Sequence, residues 1–255
     1  MHWKQHYRDI VMMLELDVEK DMWSRQVIHD MVGDLGLDGL RSIIEGNDVM
    51  VYGCGPSLEK DVRVMHETGR HKDFVNVAVD GAVKALLECN IIPDINVTDL
   101  DGDIEYILKA GRYGCVTVVH AHGDNVKALR KYVPHMEGRV YATTQNEPTD
   151  RVHNFGGFTD GDRAVHLVEH FKPKNIVLAG MDFGNVVGIY SGVYDSVMKP
   201  RKLEIGKELL ERLASASNIP MYNATSSGED IKGIRKVDFS ELDAIIQKGF
   251  RMKAP

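Results

Sequence analysis

The sequence predicts an α/β fold: a mostly parallel sheet flanked by helices on both faces, with an N-terminal helical appendage. Two observations carry this. From residue 48 onward, short β-branched runs alternate with stretches of helical periodicity, the pattern of strands joined by crossover helices. Residues 1 to about 45 hold helical patterns and no good strand. The expected organisation is an appendage over 1–45 and an α/β domain over 46–255.

In the appendage, Trp3, Tyr7, Ile10, Val11 and Leu14 recur at three- and four-residue steps, one face of an amphipathic helix. Met22, Val27, Ile28, Met31 and Val32 follow Asp21, a candidate cap. A third pattern runs from Asp38 to Ile44, and Gly46-Asn47 ends the region. The strand-like runs are 49–52, 75–79, 95–97, 116–119, 140–143 and 176–179, with Met221-Tyr222 a short last one. Helical stretches are expected near 57–69, 81–90, 102–111, 123–132, 160–171 and 200–217. A final helix is expected from Ser240, with Asp243 three residues on.

The 255 residues, 43% hydrophobic and 27% charged, belong to a folded chain. The charge sum of 31 minus 38, or −7, argues against non-specific binding to nucleic acid or anionic membranes. No apolar run approaches the roughly 20 residues of a membrane helix, and the N-terminus M-H-W-K-Q-H-Y-R-D is too polar for a signal peptide. Cys54, Cys89 and Cys115 form no C-x-x-C pair and read as small buried thiols, which fits a reducing cytoplasm. The apolar faces of the N-terminal helices can pack on the core or in a homo-oligomer.

In open α/β sheets, ligands bind beyond the carboxyl ends of the strands. The unusual residues of this chain fall there. G-C-G-P-S-L-E follows the first strand, with Gly53 and Gly55 permitting a tight turn and Ser57 placed to cap a helix whose free N–H groups can hold phosphate. The third glycine of a dinucleotide fingerprint is replaced by Leu58, and no P-loop pattern occurs, so turn and phosphate loop both stand. Asp80 and Gly81 follow the second strand; alone, Asp80 reads as a cap.

The third strand exits into V-T-D-L-D-G-D-I-E. A calcium loop from Asp99 requires glycine at 104 and glutamate at 110, and Ile104 and Ala110 exclude it. Asp99 and Asp101 suit magnesium, which takes one or two carboxylates with waters and substrate phosphates. Asp103 and Glu105 read as cap and surface residues. H-A-H-G-D offers His120, His122 and Asp124, but no partner set completes a zinc site. His122 is a candidate to face phosphate, and Asp124 a candidate cap. N-F-G-G-F-T-D-G-D-R is either a ligand loop or a glycine-rich connection. Lys199, Arg201 and Lys202 follow Tyr190 and Tyr194 at a helix start; they mark either an anionic ligand or a solvated basic face.

Taken in order, G-C-G-P-S-L, V-A-V-D-G-A, I-I-P-D-I-N-V-T-D-L-D-G-D, H-A-H-G-D-N, T-T-Q-N-E-P, N-F-G-G-F-T-D-G-D-R and L-A-G-M-D-F-G resemble the archaeal MptE-like 6-hydroxymethyl-7,8-dihydropterin pyrophosphokinases over roughly residues 45–235. The D-G followed by P-D-x-x-x-x-D-x-D is also similar to thiamine pyrophosphokinase. The resemblance implies Mg²⁺-dependent transfer of diphosphate from ATP to the hydroxymethyl group of a reduced pterin, releasing AMP, in archaeal pterin synthesis. It implies Asp80, Asp99 and Asp101 as the acidic nucleotide and metal site, with Gly55, Pro56 and Ser57 as the loop beside it; Gly53 and Gly81 are further candidate nucleotide contacts. An Asp or His122 is the proton acceptor. Two other classes remain: G-x-G-P-S-L with N-A-T-S-S-G (Asn223 to Gly228) resembles bacterial sialyltransferase-type proteins, and a nucleotide-binding module without catalysis carries the same loops.

Overall fold

A computed structural model describes residues 3–184, 186–192 and 196–248 of the chain. Tyr194 lies outside the described residues. The elements are α1 (Trp3–Leu14), α2 (Val18–His29), α3 (Asp38–Ile44), β1 (Asp48–Tyr52), α4 (Leu58–Glu67), β2 (Val75–Val79), α5 (Ala82–Glu88), β3 (Ile95–Thr98), α6 (Ile104–Arg112), β4 (Val116–Ala121), α7 (Val126–Tyr132), β5 (Val140–Thr144), β6 (Val152–His153), α8 (Asp160–His170), β7 (Asn175–Ala179), α9 (Met198–Ala216), β8 (Met221–Asn223), β9 (Arg235–Lys236) and α10 (Leu242–Lys248). The sheet has nine strands in the order β6-β5-β4-β3-β2-β1-β7-β8-β9, and every pairing is parallel. Both strands missed by pattern, β6 and β9, are two-residue pairings at the sheet edges, too short to register as apolar runs.

Alternation along the strands sends successive side chains to opposite faces. Met50 and Tyr52 join α2, α4, α5, α6, α7 and α10 in one core. Val49 and Val51 join α3, α8 and α9 in the other. The chain leaves β1 into α4 on the first face, whereas the helix after β7, α9, covers the second. Strand order reverses between β1 and β7, and a crevice opens beyond their carboxyl ends.

The N-terminal helices belong to these layers. Val27 and Ile28 of α2 lie in the first core, and Leu40 and Ile44 of α3 in the second. Ile10 and Leu14 of α1 pack with Ile205 and Leu209 of α9 and with Phe158. Several expected caps are different residues. Asp17, not Asp21, caps α2, accepting from the N–H groups of Glu19 and Lys20, while Asp21 is buried one turn in. Asp238, not Ser240, caps the short 3₁₀ turn before α10. Asn125, not Asp124, stands at the N-cap of α7. Asp103 stands at the N-cap of α6 but makes no capping bond; its carboxylate accepts from Lys84 Nζ at 3.1 Å. The three cysteines are free thiols, Cys115 buried and the others half-buried. No helix among the described residues is long and apolar enough to cross a membrane.

Candidate active site

A cavity of about 430 Å³ opens at the β1/β7 crevice. Its acidic side is built by two exits. At the first, β2 ends and Asp80 takes the left-handed backbone region, φ 42°, with Thr98 Oγ1 donating to its Oδ1 at 2.6 Å. At the second, Leu100 of the D-L-D run also has positive φ, 70°, and its side chain is buried in the core. That inward leucine leaves Asp99 and Asp101 on the cavity wall. Left-handed backbone at non-glycine residues costs on the order of 1–3 kcal/mol each and gathers at functional sites. Gly102 completes the turn: a Cβ there would stand 2.4 Å from Asp80 Oδ2, and its N–H donates to Asp80 Oδ1 at 3.3 Å.

Asp80, Asp99 and Asp101 each place a carboxylate oxygen within 4.8 Å of the other two, a spacing that a single divalent cation spans. Their protonation shows the crowding. Burial and the neighbouring Asp99 raise the Asp80 carboxyl above its ordinary range. Asp101 stands at the exposed mouth, but desolvation of its carboxyl and the charges of Asp99, Asp80 and Asp160 push it up to about 9. At Asp99 burial works the same way but is outweighed by His122, by Arg163 and by a hydrogen bond from Asp101, which hold it at about 2. A cluster that retains a proton when left to itself is suited to a cation that replaces the proton.

His122 Nε2 lies 3.2 Å from Asp99 Oδ2. Its Nδ1 accepts a long bond, 3.4 Å, from the Asp124 N–H, which assigns the proton to Nε2. His120 turns away: it is fully buried, its Nδ1 meets Thr143 Oγ1 at 3.1 Å, and burial drives it well below the ordinary imidazole range. Asn125 ties these parts together. Its Nδ2 donates to the carbonyls of Asp99 (2.8 Å) and His120 (2.7 Å). Its Oδ1 accepts from the His122 N–H (3.1 Å) and from Ser24 Oγ of α2 (3.2 Å).

The expected residues divide. Gly53, Gly55, Asp80, Asp99, Asp101 and His122 line the cavity; Pro56, Ser57 and Gly81 do not. Gly55 must be glycine, because a Cβ would meet Asp182 Oδ2 at 2.2 Å. The helix start expected to receive phosphate is engaged internally: Asp182 Oδ2 accepts from the Ser57 N–H at 3.1 Å and from Ser57 Oγ at 2.6 Å. Gly81 lies under the Tyr190 carbonyl, beside a second, smaller hollow.

Other site residues escaped pattern reading. Asp160, inside T-D-G-D-R, lines the cavity and pairs with buried Arg163 at 2.7 Å; burial and the charge of Asp99 raise its carboxyl well above the ordinary range. Asp21 and Gln145 line it as well, Gln145 Nε2 donating to Asp21 Oδ2 at 2.6 Å, where Tyr7 OH also donates. Thr159 and Asp162 form a capping box, a local signal that masks the acid between them. Asp21 sits at helical spacing in a polar stretch and gives no signal of its long-range partners.

Fold and site define an α/β protein whose functional cavity, walled by convergent carboxylates, sits at the reversal point of a parallel sheet. A model of the family described as 6-hydroxymethylpterin diphosphokinase MptE-like matches residues 30–188. The chain is 40% identical over 228 residues to the 6-hydroxymethyl-7,8-dihydropterin pyrophosphokinase of Methanocaldococcus jannaschii, covering 83% of this chain and 94% of that protein. It is 42% identical to the enzyme of that name from Pyrococcus furiosus, covering 83% and 92%. It is 46% identical to that of Methanothermobacter thermautotrophicus, covering 67% and 75%. The chain belongs to the MptE-like 6-hydroxymethylpterin diphosphokinase family.

Proposed function

We propose that this protein is a 6-hydroxymethyl-7,8-dihydropterin pyrophosphokinase, transferring the terminal diphosphate of ATP to the pterin hydroxymethyl oxygen and releasing AMP. Its setting is cytoplasmic synthesis of archaeal pterin carriers. The observation that carries the reading is the Asp80–Asp99–Asp101 cluster in the β1/β7 cavity, in a chain of this family. Asp99 and Asp101, with Asp80 behind them, would hold Mg²⁺. When bound, Mg²⁺ neutralises charge on phosphate oxygens and fixes their orientation.

The chain's own residues supply the rest. The hydroxymethyl oxygen attacks the β-phosphorus, the bond to the α,β-bridging oxygen breaks, and AMP leaves. Asp99 holds His122 in the tautomer that keeps Nδ1 unprotonated; Nδ1 takes the hydroxyl proton on releasing its long bond from the Asp124 N–H, while Asp99 steadies the imidazolium. The acids, glycines and Arg163 hold these groups in place. Such positioning dominates phosphoryl transfer.

With ATP, Mg²⁺ and the reduced pterin alcohol, AMP and pterin diphosphate are expected in equal amounts. Formation of ADP, or absence of pterin diphosphate, overturns the reading; CMP release from a CMP-sugar would move it to the glycosyltransferases. Asn125→Ala tests positioning. Losing its bonds to Asp99, His120 and His122 is expected to lower kcat about 10²-fold, the scale of an ångström-sized misplacement. The KM for ATP should change little. An unchanged kcat would show that the β3 and β4 exits hold their places without it.

A further inference from the structure

The cavity is acidic on its β2/β3 side, but α9 forms another part of its wall and carries two lysines into it, Lys199 and Lys202. Three residues apart, they lie on one helix face. Both are half-buried. Three other partly buried lysines are paired, Lys84 with Asp103 at 3.1 Å, Lys174 with Asp48 at 2.8 Å and Lys207 with Glu229 at 2.6 Å, and a fourth, Lys109, stands over the rings of Tyr106 and Tyr113. Two further cations on the cavity wall are paired too, Arg163 with Asp160 and Lys20 with Asp17. Among the described residues Lys199 and Lys202 form no ion pair. Lys199 feels the Asp160 carboxyl through space, but that group is held directly by Arg163, and half-burying an ammonium with no direct ion pair is unfavourable. The placement adds to that cost, because the first turn of the 19-residue α9 contains no acid and the positive end of its dipole repels the lysines. An anion of several charges in the cavity relieves both terms at once. The acidic part of the wall repels such an anion unless a divalent cation stands between, so the cavity fits a polyphosphate chain held by metal at the carboxylates and by ammonium groups at α9.

We propose that Lys199 and Lys202 grip the phosphate chain of the donor nucleotide against the acidic cluster, which leaves the α1–α2 side of the cavity, with Asp21 and Gln145, to the acceptor. This assignment rests on the diphosphotransferase reading above. The phosphate chain lies along α9, and the AMP that departs carries one phosphate where the bound nucleotide carried three. The lysines therefore distinguish donor from product by charge.

The test is equilibrium binding of MgATP, MgAMP and magnesium tripolyphosphate, with steady-state kinetics. Lys199→Ala and Lys202→Ala are each expected to weaken MgATP and tripolyphosphate binding about tenfold, the worth of one charge-assisted hydrogen bond. The double variant should lose about a hundredfold. AMP affinity and the KM for the pterin alcohol should move less than about threefold, and Lys→Arg variants should keep most of the affinity. A double variant that binds MgATP as the parent does, or that loses nucleotide and pterin affinity alike, overturns the proposal. If the parent forms AMP and the double variant keeps its KM for ATP, the lysine assignment falls and the diphosphotransferase reading stands. If the parent binds MgATP through the lysines but forms no AMP, the reading falls and the phosphate wall stands.

Discussion

Asp99→Asn and Asp101→Asn are each expected to lower turnover by about 10³-fold or more, because each removes a carboxylate from the magnesium centre proposed to order and neutralise the transferring phosphates. The fold should persist. The main-chain bonds at this exit, from the Gly102 N–H to Asp80 and from Asn125 to the Asp99 carbonyl, do not depend on either side chain. A stability measurement separates the electrostatic role from general damage. In the metal-free protein the Asp101 carboxyl keeps its proton up to about pH 9, whereas an unfolded aspartic acid releases it near pH ~4. Between those values the folded state binds the extra proton, so metal-free stability falls as pH rises. Asp101→Asn should flatten that slope and raise the metal-free melting temperature at pH 8. Asp99 has the opposite sign: held at about 2, it contributes stability above pH ~4 that is lost on acidification. Mg²⁺ should stabilise the parent and do so far less in either variant, since a ligand that binds only the folded state at a hundred times its Kd adds about 2.7 kcal/mol. Variants that keep full turnover, or the full stabilisation by Mg²⁺, would remove these carboxylates from the metal site.

The parallel sheet was legible because its strands are buried on both faces, so each of β1 to β5 and β7 appears as a β-branched run between helical periods. The acid cluster was legible for a related reason. Asp80, Asp99 and Asp101 stand next to strand ends, and a parallel sheet brings strand ends together. What pattern could not show is whatever depends on partners far apart in sequence. Asp21 looks like a cap for α2, yet its carboxylate receives Gln145, 124 residues away. Asn125 reads as one more polar residue at a helix start, yet it joins two strand exits and α2. The G-C-G-P-S turn has the local form of a phosphate cradle, but Asp182, 125 residues from Ser57, supplies its anion from within. The same limit holds at α1–α3, where local periodicity reveals an apolar face but not the surface that covers it.

Asp182 also meets the N-A-T-S-S-G run after β8, the run that resembles sialyltransferase-type sequences. Its residues serve as scaffold here. Thr225 Oγ1 accepts from the Met181 N–H at 3.1 Å, Ser227 Oγ donates to Asp182 Oδ1, and Ser226 donates through both its N–H and its hydroxyl to Asp61. Asp61, fully buried in α4, also accepts from the Gly180 N–H at 2.8 Å and stands 3.0 Å from Ser57 Oγ, which shares its one proton between Asp61 and the nearer Asp182. One carboxylate thus joins the exits of β1, β7 and β8, the three strands that frame the crevice. Burial raises it above the ordinary carboxylate range, although bonds from Ser226, Gly180 and Ser57 pull the other way. Asp61→Ala would leave the buried Gly180 N–H without an acceptor at about 1–3 kcal/mol, while the donors of exposed Ser226 can turn to water, so a loss of about 2–3 kcal/mol is expected. For a chain of this size that is a fall of roughly 4–12 °C in melting temperature. Asp61→Asn should lose less: its amide oxygen keeps one set of donors, while its NH₂ confronts another. Urea unfolding should show a lower midpoint with an unchanged slope. A loss below about 1 kcal/mol in the alanine variant would mean that water satisfies these groups, and that the crevice holds its shape without the buried carboxylate.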